Sequence, residues 1–109
     1  MDLNKYQELT QTTAIYPGQG SKAGLEYSIL GFVGEAGELA NAYKKILRDN
    51  HGQINDDRLV GLCLELGDAL WYMARIAKEL GFSFNDIATM NIEKLARRAT
   101  MNQLHANNR

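Results

Sequence analysis

Ile29-Leu30-Gly31-Phe32-Val33-Gly34-Glu35-Ala36-Gly37-Glu38-Leu39-Ala40 lies at the centre of a run from about Leu25 to Leu47 in which Ile29, Phe32, Ala36, Leu39, Tyr43 and Ile46 recur at steps of three and four. That spacing is the period of an α-helix with one apolar stripe. At about 100° per residue, Glu35 falls at the border of the stripe and Glu38 roughly 60° further out. Gly31, Gly34 and Ala42 lie nearby and are small enough to admit another backbone or a ligand.

A second run repeats the arrangement. Asp56 or Asp57 can cap a helix that reaches Leu80 and ends at Gly81, with Leu62, Leu66, Ala69, Met73, Ile76 and Leu80 as its core stripe. Glu65 sits at the stripe's border and Asp68 roughly 60° beyond it. Each acidic pair spans three residues, so its Cβ atoms are about 5–6 Å apart. Antiparallel packing of the two helices lets the pairs face each other. Carboxylate oxygens suit a hard divalent cation such as Mg²⁺, which keeps several waters and recruits substrate phosphates. Converging carboxylates repel and lose hydration unless a counter-charge or solvent reaches them.

Working outward, a first helix is expected from about Asn4 to Ile15, with Tyr6, Leu9 and Thr13 along one side. It stops at Tyr16-Pro17-Gly18, which holds the only proline. The glycine-rich stretch Pro17-Gly18-Gln19-Gly20-Ser21-Lys22 reads as a mobile connection and a candidate lid or entry loop. Arg48 to Gln53 form a polar turn between the second and third helices. Ser83 and Asp86 make a capping-box-like start for a fourth helix carrying Ile87, Met90, Leu95 and the basic group Lys94, Arg97 and Arg98. The tail Asn102 to Arg109 is polar and expected to fray. No strand alternation or repeat period competes. The expected fold is all-α, a four-helix bundle in one domain over residues 1–109.

Twelve Lys plus Arg against thirteen Asp plus Glu leave a formal charge of −1, which gives no global pull toward nucleic-acid polymers or membranes. Charges interrupt the longest apolar runs, and Met1-Asp2-Leu3-Asn4-Lys5 lacks a signal-peptide pattern, so the expected location is the cytoplasm. The single cysteine, Cys63, excludes an intrachain disulfide and reads as core. Neither His51 nor His105 stands at helical spacing from an acidic pair, which disfavours a di-iron carboxylate bundle. No Gly-x-x-x-x-Gly-Lys-Ser/Thr loop is present.

Taken in order, Gly31 to Ala40, then Lys44-Lys45, then Glu65-Leu66-Gly67-Asp68-Ala69-Leu70-Trp71-Tyr72, then Asn91-Ile92-Glu93-Lys94-Leu95-Ala96-Arg97-Arg98 resemble the MazG-like nucleoside triphosphate pyrophosphohydrolases. The resemblance runs from about Tyr6 to Arg98. It implies an all-α fold, commonly assembled as a dimer or tetramer, and an acidic signature that binds Mg²⁺, with Mn²⁺ a possible substitute. Carried over residue by residue, Glu35, Glu38, Glu65 and Asp68 are the implied metal ligands and catalytic residues. Gly34 replaces the first Glu of the family's leading doublet.

The resemblance also assigns Asn91 and Lys94, with Arg97 or Arg98, to the substrate phosphates. Positions 91, 94 and 98 share a helix face, although cations near a helix C-terminus also complement its dipole. Lys45, seven residues beyond Glu38, is a weaker phosphate candidate on a similar face. Trp71 is a weak candidate for stacking on the base, against the alternative of core or subunit packing. The expected activity is Mg²⁺-dependent cleavage of a nucleoside triphosphate, a deoxynucleotide (dNTP) by preference, between its α- and β-phosphates by a homo-oligomer. The alternative is a non-catalytic helical oligomer that binds nucleotide or a partner protein.

Overall fold

The computed structural model describes residues 1–101, which form four helices: α1 (Leu3–Thr10), α2 (Lys22–Asn50), α3 (Asp56–Glu79) and α4 (Phe84–Thr100). A single 3₁₀ turn, Gln11–Thr13, extends α1, so the expected first helix ends sooner than Ile15. The expected fraying of Asn102 to Arg109, and His105 with it, lies outside the described residues. Among the described residues there is no strand.

Local chemistry sets the helix ends. The Asp2 carboxylate accepts from the Lys5 amide at 2.7 Å and starts α1. Asn55, rather than Asp56 or Asp57, caps α3 by accepting from the Arg58 amide at 2.9 Å. The two aspartates instead occupy the first turn, where negative charge meets the positive end of the helix dipole. Ser83 caps α4 as expected, accepting from the Asp86 amide at 3.1 Å. Between α2 and α3 the chain reverses through His51 and Gly52, both at positive φ.

The frame is an antiparallel pair, α2 against α3. Gly31 lies opposite Tyr72, Glu35 opposite Asp68, and Lys45 and Ile46 beside Arg58 and Leu62. Each step along one helix is matched by an equal step back along the other. The helices come close at Gly31, where an added Cβ would run into the Tyr72 ring. α1 crosses α3 and α4, and α4 packs on α1 and α3; among the described residues α4 makes no packing contact with α2.

The core is small. Ala74, Ala77 and Phe84 form its buried centre, with Leu3, Tyr6, Leu70 and Ile87 packed around it. Of the two expected stripes, Ile46 and Ala69 are buried, but Ile29, Tyr43, Leu66, Met73 and Leu80 stay substantially exposed. Cys63, read as core, is exposed as well. The reason is architectural. Two helices bury only the seam between them; α1 and α4 cover the C-terminal part of α3, and among the described residues neither packs on α2. The radius of gyration, 16.6 Å, exceeds the value of about 13 Å for a compact domain of about 100 residues.

The glycine-rich segment after α1 is pinned rather than mobile. The Glu79 carboxylate accepts from the Gly20 amide at 3.0 Å and from the Tyr16 hydroxyl at 2.7 Å. Gln19 Nε2 donates to the carbonyls of Ala14 and Tyr16. Gly24 lets α2 pass against the segment, since a Cβ there would stand 2.4 Å from the Gly18 carbonyl oxygen. A glycine-rich composition marks backbone conformations open only to glycine as well as it marks mobility, and here Gly18 and Gly20 supply positive φ for a tight turn.

Candidate active site

Glu35, one helical turn along α2 from Gly31, faces Glu65 and Asp68 of α3. One carboxylate oxygen from each of the three lies within 4.8 Å of the others. Three of the four expected ligands therefore converge. Glu38, one turn further along α2, stands outside that trio; it is exposed and lines an adjoining cavity together with Glu65.

The electrostatics of the trio are those of an uncompensated site. Burial pushes the Glu35 carboxyl above its ordinary range, and the charges of Asp68, Glu65 and Glu38 push it further in the same direction. Asp68 adds, after burial, to the upward shift of the Tyr6 phenol. Among the described residues no Lys or Arg forms an ion pair with Glu35, Glu38, Glu65 or Asp68. An all-oxygen donor set of like charges, with Glu35 and Glu65 partly buried and Asp68 exposed, and with no cation ion-paired to them among the described residues, fits a hard divalent ion. Glu35, Glu65 and Asp68 are the residues that could hold it.

Glycine leaves Gly34 open: nothing lies within 4 Å of a Cβ built there, and the residue faces solvent. Trp71 is engaged internally. Its indole N–H donates to Thr13 Oγ1 at 2.9 Å, and its ring meets Tyr72 edge-on at 4.9 Å and Tyr16 at 6.2 Å.

Asn91, Lys94 and Arg97 line a separate concavity made by α4 alone, with Ile87, Met90 and Glu93. It shares no residue with the cavity beside Glu38 and Glu65. Among the described residues, Lys45 and Arg58 line that cavity with Glu38 and Glu65.

Two features escaped the sequence reading. Arg58 was masked by its place in a polar helix start, although it precedes Glu65 by seven residues, as Lys45 follows Glu38 by seven. Arg75 is 2% exposed, an arginine inside Met73-Ala74-Arg75-Ile76-Ala77, and that interruption of an apolar run was the available signal. Its guanidinium donates to Thr10 Oγ1, Gln11 Oε1, Gln19 Oε1 and the Tyr16 hydroxyl at 2.9–3.4 Å, tying α1 and the following segment to α3.

An antiparallel helical pair carrying a converging carboxylate trio, two of its members partly buried, defines an all-α protein with a candidate divalent-cation centre. Residues 24–101 match the MazG nucleotide pyrophosphohydrolase domain, and the chain belongs to that family. The Gene 37 protein of Mycobacterium phage L5 is 45% identical over 101 residues, which cover 90% of this chain and 89% of that protein. No solved structure matches. No helix among the described residues is long and apolar enough to cross a membrane.

Proposed function

We propose that the chain is a Mg²⁺-dependent nucleoside triphosphate pyrophosphohydrolase, converting a ribo- or deoxyribonucleoside triphosphate and water to the monophosphate and pyrophosphate. The observation that carries this reading is the convergence of Glu35, Glu65 and Asp68 within 4.8 Å, with no cation ion-paired to them among the described residues, in a chain of this family. Bound by these three carboxylates, the cation would draw charge from the phosphate oxygens and acidify a water. Glu38 is exposed and one turn from Glu35, and its carboxylate oxygen would accept the proton of the water that attacks the α-phosphorus. The bond between that phosphorus and the bridging oxygen to the β-phosphorus breaks, and the electron pair leaves with pyrophosphate.

Half-exposed Leu66, Tyr43 and Leu59 and the more exposed Leu30 and Leu64 support assembly into a homodimer or homotetramer. An apolar concavity between α2 and α3, lined by Ala36, Leu39, Ala40, Tyr43, Leu62 and Leu66, is the surface a second copy would cover. In such an assembly, Asn91, Lys94 and Arg98 of one copy would meet the phosphates held by its neighbour, since α4 does not pack on α2 of its own chain.

Incubation with each NTP and dNTP, with Mg²⁺ and with EDTA, followed by ion-exchange chromatography, tests the reading. Monophosphate plus pyrophosphate, formed only with Mg²⁺, is the expected product pair. Diphosphate plus phosphate would reject the cleavage position. Nucleotide binding without turnover would favour the non-catalytic alternative, with Gly34 as the departure from the family pattern.

A further inference from the structure

Beside the carboxylate trio, toward the turn that joins α2 to α3, lies a cavity of about 240 Å³. Glu38 and Glu65 border one end of it and Lys45 and Arg58 line it, with Asn41 and Gly61 also in its wall. Lys45 follows Glu38 by seven residues and Arg58 precedes Glu65 by seven. Seven residues are two turns, about 10 Å along the helix, and return to nearly the same face. Because α2 and α3 run antiparallel, the two spacings coincide and the cations meet across the seam. The groove is thus polarised along its length, from carboxylates to a neutral amide to two cations.

Those cations are not consumed by internal pairing. Among the described residues, neither the Lys45 ammonium nor the Arg58 guanidinium forms an ion pair or a side-chain hydrogen bond. Their common neighbour is Asp49, whose carboxyl is held below its usual range first by the hydrogen bonds from Arg48 and, more weakly, by the charges of Arg58 and Lys45. Arg48 occupies both Asp49 oxygens, at 2.7 and 2.8 Å. Arg58 is itself half-buried, with its backbone fixed by the Asn55 cap, so its side chain leaves from a defined point. A guanidinium offers five donors in a planar fork suited to phosphate oxygens.

From this geometry, and resting on the pyrophosphohydrolase reading above, we infer that Arg58, with Lys45 and Asn41, forms the subsite for the two terminal phosphates of the substrate, the part that leaves as pyrophosphate. A polyphosphate chain lying along the groove sets its nucleoside-proximal phosphate near the carboxylates and its distal oxygens between the two cations. The subsite selects for a diphosphate tail and is indifferent to the base. It also works within one chain, unlike the α4 cations.

The test is calorimetric binding of inorganic pyrophosphate and, separately, of a nucleoside monophosphate, each with Mg²⁺, to wild type, Arg58→Ala, Arg58→Lys, Lys45→Ala and Lys94→Ala, with circular dichroism as the check on folding. Arg58→Ala is expected to weaken pyrophosphate binding about tenfold or more, the loss of a charge-assisted contact, and to leave monophosphate affinity within about twofold. Arg58→Lys recovers part of the loss and Lys45→Ala reproduces it more weakly. Wild-type pyrophosphate affinity in both Arg58→Ala and Lys45→Ala, or no pyrophosphate binding by wild type at millimolar concentration, overturns the subsite. The product assay separates the two claims. Turnover by wild type with pyrophosphate affinity indifferent to Arg58 rejects the subsite alone, whereas absent turnover with Arg58-dependent pyrophosphate binding rejects the reaction alone.

Discussion

The Tyr16 hydroxyl donates to Glu79 Oε1 at 2.7 Å while accepting from Arg75 Nε at 3.3 Å, so one phenol joins a buried cation to a carboxylate that lies too far from it for a direct ion pair. Phenylalanine at 16 keeps the ring against Tyr27 but removes the bridge. Tyr16→Phe is expected to cost about 1–3 kcal/mol, the penalty for leaving buried polar groups unsatisfied, read as a lower midpoint in urea.

The same phenol sets a pH dependence. Burial raises its pKa above 10.0, opposed by the hydrogen bond from Arg75 and reinforced by Glu79. An acid with a raised folded-state pKa holds its proton longer folded than unfolded, so its contribution is intact below the unfolded value of about 10 and is lost as pH rises through the folded one. Stability measured by urea unfolding should fall above about pH 10, and that component should be absent in Tyr16→Phe.

Two glycines on one helix should respond in opposite ways. Gly31→Ala drives a methyl into the Tyr72 ring and should destabilise by about 1–3 kcal/mol, as overpacking does. Gly34→Ala meets nothing within 4 Å and should stabilise by about 0.5–1 kcal/mol through helix propensity. Thermal melts of both variants decide the matter, and equal responses would contradict the α2–α3 seam.

Glu38 and Asp68 are separable. Asp68 belongs to the trio that could hold a cation and Glu38 does not. Both Glu38→Gln and Asp68→Asn should abolish turnover with helicity near wild type. Mg²⁺ should raise the melting temperature of wild type, by about 2.7 kcal/mol of stabilisation at a hundredfold excess over Kd. Glu38→Gln should keep that shift and Asp68→Asn should lose it.

Light scattering should give a mass above the 12.2 kDa of one chain. Leu66→Glu, a charge placed in the apolar concavity between α2 and α3, should lower that mass or drive the protein out of solution. A wild-type monomer would remove the assembly from the proposal.

The helices and the trio were legible because they rest on period. Steps of three and four residues fix which side chains share a face, and acidic pairs at the border of two such faces can face each other when the helices pack antiparallel, although the period did not show that Glu38 stands outside the trio. Depth of burial was not legible. Leu66 and Met73 keep helical spacing whether or not anything packs on them, so periodicity alone placed them in a core, while on this chain both stay exposed. The segment after α1 misled for a related reason: Gly18 and Gly20 announce unusual backbone angles, and the bonds that tie the segment to α3, from the Gly20 amide to Glu79 and from Arg75 to Gln19, come from residues some sixty positions away. Arg58 escaped notice because its significance depends on Lys45, which reaches it only through the fold.

Gln7 spans the reversal between α3 and α4, donating from Nε2 to the carbonyls of Ala74 and Phe82 and accepting at Oε1 from the Phe84 amide, while Asn4 Oδ1 accepts from the Asn85 amide. These partners lie 67 to 81 residues along the chain. The α2–α3 hairpin closes across five residues and can form as soon as both its helices are synthesised, whereas α1, the earliest helix made, has nothing to hold it until Ala74 and Arg75 of α3 have left the ribosome, and gains its last partners only with Phe84 and Asn85. The order of synthesis and the order of docking are therefore reversed at this end of the molecule, and hydrogen exchange should find α1 the last helix to gain protection during refolding.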